Sequence, residues 1–504
     1  MKRIFYFLLV LLFVVSSALK AQTINYSGYA REDRLDINFE IVGKINNNIL
    51  VYKNISWRHK INIYDNEMND KGTINLDFIP EKTFNIDFVT YPDFFYMLYQ
   101  YQKRNIVHCM AVKMDGDGNK LGGPYELDTT QISILADNKI YSTVCSEDKQ
   151  KIMIFKIQKK YEKINMVTLL FDKQLNLINT CRQGKEYNNR REDYDNFSLD
   201  NDGNFVFTIE KQPGNVNYSN AVDLVTKAPL QDSFSYHNLD LGKREVGDVK
   251  LKIDNLNSRY ILNTFYYKKN AGYIEGLLSY IWDIGKAKAE VAELIELPDS
   301  LRVEAKTDGL LRNSFDNYVI RQVVVKKDGG FIFTAEDFTS QVSGNTNPWN
   351  RWDNMYNPYS LSSSSYYTYN PYYGYYRPMN SYHNQSTRYY YENVIILSIS
   401  KNGRAEWSKV IHKEQYDDNN DNFLSFSTMN ARGEIHFFYN SDRKNQIIFD
   451  QSIAPDGVLK RNPTLKSQEK GYEFMPRLSK QVGVNQLIIP CAYHGYICFA
   501  KVDF

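Results

Sequence analysis

Short stretches of alternating or continuous apolar residues, each of strand length, recur along most of the chain. They are clearest from Asn393 onward, where three successive stretches read NVIILSISKNGRAEWSKVI, FLSFSTMNARGEIHFFYNSD and NQIIFDQSIAPDGVLKRNPTL. Turn dipeptides interrupt them at Asn402-Gly403, Arg432-Gly433 and Asp456-Gly457. A period of two that is bounded by such dipeptides is typical of β-hairpins. The pattern therefore predicts an all-β chain.

The hairpin pattern repeats, and we aligned the repeats on the turn between the first and second strand of each. These turns fall near Asn47, Pro92-Asp93, Asp148, Asp202-Gly203, Asn257, Asp328-Gly329, Arg432-Gly433 and Gly483. Most spacings lie between 45 and 71 residues, but the spacing from Gly329 to Gly433 is 104. Removing the 53 residues from Thr339 to Tyr391 shortens that spacing to 51. A period near 50 indicates a propeller or a solenoid, and strands with almost no helical pattern favour the propeller.

Each repeat supplies four predicted strands, except that the eighth ends at its third strand, CFAKVDF. An unpaired edge strand in a large sheet is a liability, and the segment Thr23 to Ala30 has the alternation of a strand. We therefore expect the N-terminal strand to complete the last blade. The prediction is an eight-bladed propeller of four-stranded antiparallel blades, with seven blades as the alternative. Only Pro298 to Phe315 has a helical pattern, and it is weak.

With these repeats the chain resembles the β-propeller superfamily, as a divergent secreted bacterial member. The paired glycines of Kelch repeats are missing, and Trp282-Asp283 lacks the Gly-His that accompanies it in WD-type repeats. The resemblance therefore implies an architecture and no particular activity.

The first residues predict the cellular address. Lys2 and Arg3, the apolar run Ile4 to Val15 and the small residues up to Ala21 together form a secretory signal peptide, residues 1–21. No cysteine follows the apolar run to carry a lipid anchor, and no later stretch is long enough to span a membrane. We expect a secreted or periplasmic protein that does not span the membrane, with one propeller domain over residues 22–504.

Net charge argues against one class of partner. Without Lys2, Arg3 and Lys20 the chain has 58 basic and 59 acidic residues. Such a nearly neutral protein has no global field to attract a polyanion, so nucleic acid is not an expected partner. The 40 tyrosines and 28 phenylalanines suit strands, where flat side chains pack on a pleated surface.

Candidate chemistry is sparse, and we predict no catalytic residue, metal site or cofactor. Asp115, Asp117, Asn119 and Glu126 have the spacing of a calcium loop, but Lys120 stands where that loop needs glycine, so a turn is favoured. No GxSxG, HExxH or CxxC motif is present.

Cys491 and Cys498 lie symmetrically about His494-Gly495, which places them opposite each other if that dipeptide is a turn. Two buried free thiols are favoured over a disulfide.

The most unusual sequence is a tyrosine-rich, low-complexity insert at 339–391, between the second and third strands of the sixth repeat. Residues 356–391 contain 13 tyrosines among Ser, Asn, Pro and Gly. Disordered sequence is one interpretation. The other is an adhesive surface, because tyrosine offers a large contact at low entropic cost, as in antibody paratopes. The candidate binding residues are Trp349, Trp352, Tyr372, Tyr373, Tyr375 and Tyr376.

Two functions follow from this organisation. In a four-stranded blade, the connection that holds the insert emerges on the same face as the links between blades, several of which are long and charged. The first hypothesis is a binding scaffold for a protein or glycan of the cell envelope, acting through that face. The alternative is an envelope polysaccharide hydrolase or lyase with carboxylates at the central channel.

Overall fold

The structure, a computed structural model, describes residues 23–35, 37–81, 83–132, 140–160, 162–186, 192–212, 218–267, 273–305, 317–342, 387–440, 446–466 and 471–504. These residues form almost entirely β-strands, arranged as eight antiparallel sheets. The sheets follow one another along the chain as blades one to eight of a β-propeller. The predicted fold class and the favoured number of blades are confirmed.

The first strand of the described chain, β1 (Thr23–Tyr26), belongs to the last blade. Blade one contains β2 (Asn38–Ile45), β3 (Asn48–Ile55), β4 (Arg58–Tyr64) and β5 (Asp70–Asn75). Blade two contains β6 (Thr83–Thr90), β7 (Phe94–Lys103), β8 (Ile106–Asp115) and β9 (Tyr125–Gln131). Blade three contains β10 (Tyr141–Cys145), β11 (Lys151–Lys160), β12 (Lys163–Asp172) and β13 (Leu177–Glu186). Blade four contains β14 (Glu192–Leu199), β15 (Phe205–Lys211), β16 (Ala221–Lys227) and β17 (Ser235–Leu239).

The later blades contain divided strands. Blade five contains β18 (Glu245–Val246), β19 (Lys250–Asp254), β20 (Arg259–Tyr267), β21 (Ile274–Asp283) and β22 (Lys288–Glu296). Blade six contains β23 (Tyr318–Val325), β24 (Phe331–Val342), β25 (Thr387–Ile399), β26 (Ala405–Ile411) and β27 (Gln415–Asp418). Blade seven contains β28 (Phe426–Ala431), β29 (Glu434–Asn440), β30 (Ile447–Ile453), β31 (Leu459–Arg461) and β32 (Leu465–Lys466). Blade eight contains β33 (Tyr472–Phe474), β34 (Lys480–Gly483), β35 (Gln486–Tyr493), β36 (Tyr496–Asp503) and β1.

The predicted turns lie at the connections between the first and second strands of the blades, with Gly483 as the last residue of β34. The divided strands were not predicted. The inner strand of blade five is split between β18 and β19, and that of blade eight is split by a 3₁₀ helix, Pro476–Leu478. The weak helical pattern at Pro298 to Phe315 contains one short helix, α1 (Asp299–Glu304), and the part of this segment from residue 306 lies outside the described residues.

The side chains of each strand alternate between the two neighbouring blades, so the core lies between blades. Strand β7 shows this clearly. Its residues that pack between blades one and two are Phe95, Met97 and Tyr99, and those that pack between blades two and three are Phe94, Tyr96 and Leu98. Fully burying a side chain of this size contributes about 1.5–3 kcal/mol. Eight such apolar clusters connect each blade to the next, including blade eight to blade one.

The N-terminal strand closes the ring, as predicted. Strand β1 pairs antiparallel with β36, with Thr23 opposite Asp503 and Tyr26 opposite Ala500. The chain then continues to blade one through residues 27–37. In this closing link the carboxylate of Asp33 lies 2.7 Å from Nζ of Lys53, and both side chains are almost fully buried. The two ends of the chain are therefore joined by a strand and by a buried ion pair.

The turns and links of the propeller lie on two opposite faces. The upper face carries the hairpins between second and third strands and the links between blades, and the lower face carries the other turns. Among the described residues, no helix is long and apolar enough to cross a membrane.

Candidate functional site

The six predicted binding residues, Trp349, Trp352, Tyr372, Tyr373, Tyr375 and Tyr376, lie outside the described residues, as do residues 1–22 with the predicted signal peptide. The structure does describe both ends of the insert. Strand β24 continues to Val342 and β25 begins at Thr387, so nine residues inside the predicted bounds 339–391 are paired strand. The segment that the structure leaves undescribed here is 343–386.

These strand ends form a three-stranded ribbon on the upper face, which we call the stem. It consists of 338–342 of β24, 387–391 of β25, and β27. β27 pairs with β25 from Arg388 opposite Asp418 to Tyr391 opposite Gln415. Among the described residues, the other blades have no second strand as long as the 12 residues of β24 and no third strand as long as the 13 residues of β25. The insert therefore leaves the propeller from an extended, paired base.

The stem has a small apolar core of its own. Tyr389 and Tyr391 are buried there against Phe338, Val319 and Leu424. The Phe338 and Tyr391 ring centroids are 4.7 Å apart. Aromatic pairs at this separation add to the stabilisation from area burial. Two tyrosines at the end of the predicted insert thus have structural positions.

A buried ion network lies directly below the stem and is centred on Glu336 of β24, whose side chain is fully buried. Its carboxylate lies 2.8 Å from Nε of Arg321 and 2.7 Å from Nζ of Lys413. The Ser425 hydroxyl donates to the same carboxylate at 2.6 Å. Burial alone would raise the pKa of Glu336, but the charges of Lys413 and Arg321 outweigh it and hold that pKa below its usual value.

The network extends to blade eight through Tyr391. Its hydroxyl donates to Asp421 at 2.9 Å, and Arg477 of the 3₁₀ helix donates to both groups at 2.8 Å. Burial would raise the pKa of Asp421, but Arg477 lowers it below its usual value. Three cations surround the Tyr391 ring, with Arg321 at 5.5 Å, Arg477 at 5.6 Å and Lys413 at 5.9 Å from its centroid. Side chains of blades six and eight thus meet around one tyrosine of the stem.

Two carboxylates close to the stem have pKa values shifted upward. Partial burial raises the pKa of Asp417 on β27, and neighbouring Asp418 and Asp421 raise it further. Partial burial also raises the pKa of Glu473 on β33, and the charge of Asp417 adds to that shift. Carboxyl groups whose pKa values are raised by burial and by neighbouring carboxylates are candidates for acid–base roles.

The four residues with calcium-loop spacing, Asp115, Asp117, Asn119 and Glu126, do not form one loop. Oδ1 of Asp115 accepts the backbone N–H groups of Asp117 and Asn119, which makes a tight turn on the lower face. Glu126 instead contacts His108, with 2.7 Å between Oε2 and Nδ1. The same Asp-to-Asn turn recurs at Asp65, Asp172 and Asp200. In the described part of the chain, no three His, Cys, Asp or Glu residues are grouped as a metal site would require.

Glu40 of β2 has an unusual environment on an inner strand. Its side chain is buried, and its Oε2 has no hydrogen-bond partner among the described residues. Lys480 of the neighbouring blade donates to the carbonyl oxygens of Ile41 and Val42 at 2.9 and 3.1 Å. Burial raises the pKa of Glu40 to about 8; Lys480 opposes this shift, and Asp87 adds to it. The carboxyl group is therefore mostly protonated at neutral pH.

We predict that Glu40→Gln is more stable than the wild type at pH 9 and about equally stable at pH 4, below the pKa of an unfolded glutamate. The folded state holds the Glu40 proton up to about pH 8, whereas an unfolded glutamate loses it near its ordinary pKa of about 4.3. Wild-type stability therefore falls as pH rises through this window, and the neutral glutamine escapes the loss. We expect a difference of at least about 1 kcal/mol in urea unfolding at pH 9, since one pKa unit corresponds to about 1.4 kcal/mol. Glu293→Gln, at an exposed position, is the control; a pH-independent difference for Glu40→Gln would contradict the assignment.

No family model and no curated protein sequence matches the chain. Solved structures do match. One chain from a structural study of two prolyl endopeptidases is 8% identical with a TM-score of 0.42, over 91% of this chain and 55% of that one. Sqt1 of Saccharomyces cerevisiae is 9% identical with a TM-score of 0.43, over 95% of this chain and all of Sqt1. The polysaccharide lyase Uly1 is 10% identical with a TM-score of 0.35, over 82% of this chain and 89% of the lyase.

The chain spans about half the length of the prolyl peptidases that it matches. At these identities the activities of the matched proteins do not transfer to this chain.

Proposed function

We propose that the protein is a secreted or periplasmic β-propeller that binds a protein or glycan of the cell envelope through its upper face. The observation that carries the proposal is the stem. A tyrosine-rich segment, 343–386, is flanked at both ends by the paired strands of the stem. Charged side chains of blades six and eight contact one another at the base of the stem. A loop that projects from a rigid scaffold is the arrangement in which binding function usually lies.

The composition of the segment supports the same proposal. Tyrosine, serine, asparagine and glycine are the residues with which antibody paratopes make adaptable contacts. A tyrosine ring stacks on the flat face of a sugar or on an apolar side chain, and its hydroxyl group forms hydrogen bonds. The N-terminal residues 1–21, with their basic start and apolar run, support the proposed address.

A second candidate function has one observation in its favour. Asp417 and Glu473 lie on the same face as the stem, and both have pKa values raised by partial burial and by neighbouring carboxylates. Glycoside hydrolysis uses a pair of carboxyl groups, one of which is protonated at the start of the reaction. Asp417 and Glu473 are the candidate carboxyl groups for an envelope polysaccharide hydrolase or lyase.

For the binding proposal, we predict that changing Tyr372, Tyr373, Tyr375 and Tyr376 together to serine weakens binding at least about tenfold, while the fold remains intact. Aromatic residues dominate the binding energy of most interfaces, so their loss outweighs that of polar neighbours. The measurement is a glycan array together with a pull-down from a solubilised envelope fraction. Circular dichroism and thermal unfolding check the fold of the variant.

The matched control changes tyrosines on outer strands away from the stem, Tyr125 of β9 and Tyr236 of β17, which are exposed. Equal retention by the two variants would contradict the assignment of binding to the segment. The enzyme candidate has a separate readout, which is product release from a panel of polysaccharides. If the wild type releases product, Glu473→Gln does not and the serine variant does, the enzyme hypothesis is favoured over the binding hypothesis.

A further inference from the structure

Two cysteines of blade eight face each other across neighbouring strands. Cys491 of β35 lies directly opposite Cys498 of β36, and their Sγ atoms are 3.0 Å apart. The hairpin between them turns at His494 and Gly495, which have φ values of 49° and 85°. These are the conformations of the two-residue turns that join paired strands, and they hold the register of the hairpin. Both cysteine side chains are fully buried.

From this geometry we infer that Cys491 and Cys498 form an intramolecular disulfide under oxidising conditions. Opposite residues of antiparallel strands have Cα atoms about 4.5–5.5 Å apart, within the range that a disulfide spans. The reaction is thiol–disulfide exchange with a small disulfide or a disulfide oxidoreductase. The two thiols lose two protons and two electrons and form one S–S bond, while the donor disulfide is reduced to two thiols.

The other cysteines have no such partner in the described strands. Cys109 of β8 lies opposite Gln100 and Asp128, Cys145 of β10 lies opposite Ile152, and Cys181 of β13 lies opposite Thr168. Register therefore selects one pair from five cysteines.

The bond would strengthen the blade that closes the ring. Strand β36 pairs with β35 on one side and with β1 on the other. A bond between β35 and β36 thus stabilises the strand with which the N-terminal strand pairs. Burial raises the pKa of the Cys491 thiol, so the reactive thiolate is disfavoured once the blade has folded. We expect the disulfide to form as the blade assembles and then to resist reductants.

The experiment counts thiols in the purified mature chain, refolded with oxidised glutathione. The protein is unfolded in guanidinium chloride with excess iodoacetamide and without reductant, and its intact mass is measured. The expected result is alkylation of the three cysteines other than Cys491 and Cys498, and of all five after prior reduction. Peptide mapping should show one cross-linked pair. Alkylation of all five without reduction, or a different pair, overturns the inference.

Variants give the matched controls. Cys491→Ser should expose Cys498 to alkylation, whereas Cys109→Ser should leave the cross-link in place. The oxidised wild type should also unfold about 2–5 °C above its reduced form, and Cys491→Ser should show no such difference. Because oxidation is done in vitro, the result does not depend on the proposed address or on the proposed binding function. A failure of either proposal is therefore distinguishable from a failure of this one.

Discussion

Asp33→Ala is expected to lower the free energy of unfolding by about 3–5 kcal/mol, because it leaves a buried lysine without a counter-charge. Lys53 lies 2.7 Å from Asp33, and its side chain is only 1% exposed. Asp33 also accepts the backbone N–H of Ala30 and, through its carbonyl oxygen, that of Ile497. The loss therefore falls on the link that closes the ring. Urea unfolding of the purified protein is the measurement.

The adjacent residue supplies the control. Glu32 also pairs with cations, at 2.5 Å from Lys60 and 3.9 Å from Arg58, but its side chain is 40% exposed. Exposed pairs contribute about 0–1 kcal/mol, so Glu32→Ala should have a small effect. The double change Asp33→Ala with Lys53→Met should recover part of the stability, since it removes the uncompensated charge. If Asp33→Ala and Glu32→Ala cost the same, the buried pair does not hold the closure.

The second large effect is expected at the base of the stem. Glu336→Ala leaves Lys413 and Arg321 without their shared carboxylate, and Lys413 is 1% exposed. Breaking such a buried network costs about 3–5 kcal/mol. We expect a loss of that size in urea unfolding, together with faster hydrogen exchange of the backbone amides at Tyr389 and Tyr391, because the network lies directly below them.

Glu406 in the same blade is a matched control, because it also pairs with a lysine and a serine. It lies 2.5 Å from Nζ of Lys326 and accepts from Ser398 at 2.7 Å, but it is much more exposed than Glu336. Glu406→Ala should cost about 1 kcal/mol or less and should leave exchange in the stem unchanged. Unchanged exchange at Tyr389 and Tyr391 in Glu336→Ala would show that the stem does not depend on the network.

Local patterns were enough to predict much of the fold. A turn is specified by adjacent residues such as Asp202-Gly203, and the strands on either side have apolar residues that alternate with a period of two. The missing fourth strand of the last repeat and the alternation of Thr23 to Ala30 predicted the ring closure that β1 and β36 make. The symmetry of Cys491 and Cys498 about one turn likewise predicted their register.

The charge network under the stem gave no such signal. Glu336, Lys413 and Arg477 are far apart in the sequence, and each has the neighbours of an ordinary strand or loop residue. Their meeting depends on how far β24 and β25 extend beyond the blade and on the approach of the 3₁₀ helix of blade eight. The raised pKa values of Asp417 and Glu473 depend on the same approach, since they come from burial and from charge across two blades.

By itself, then, the sequence determined the repeat, the blade turns, the closing strand and the position of the insert. Each of these is a property of residues close together along the chain or of the repeat length. Only the tertiary structure decided which charges are buried together, where the insert ends and its stem begins, and that Oε2 of Glu40 has no hydrogen-bond partner among the described residues. Those features depend on packing between blades, because the energy of a buried charge is determined by its distance in space from other charged and polar groups.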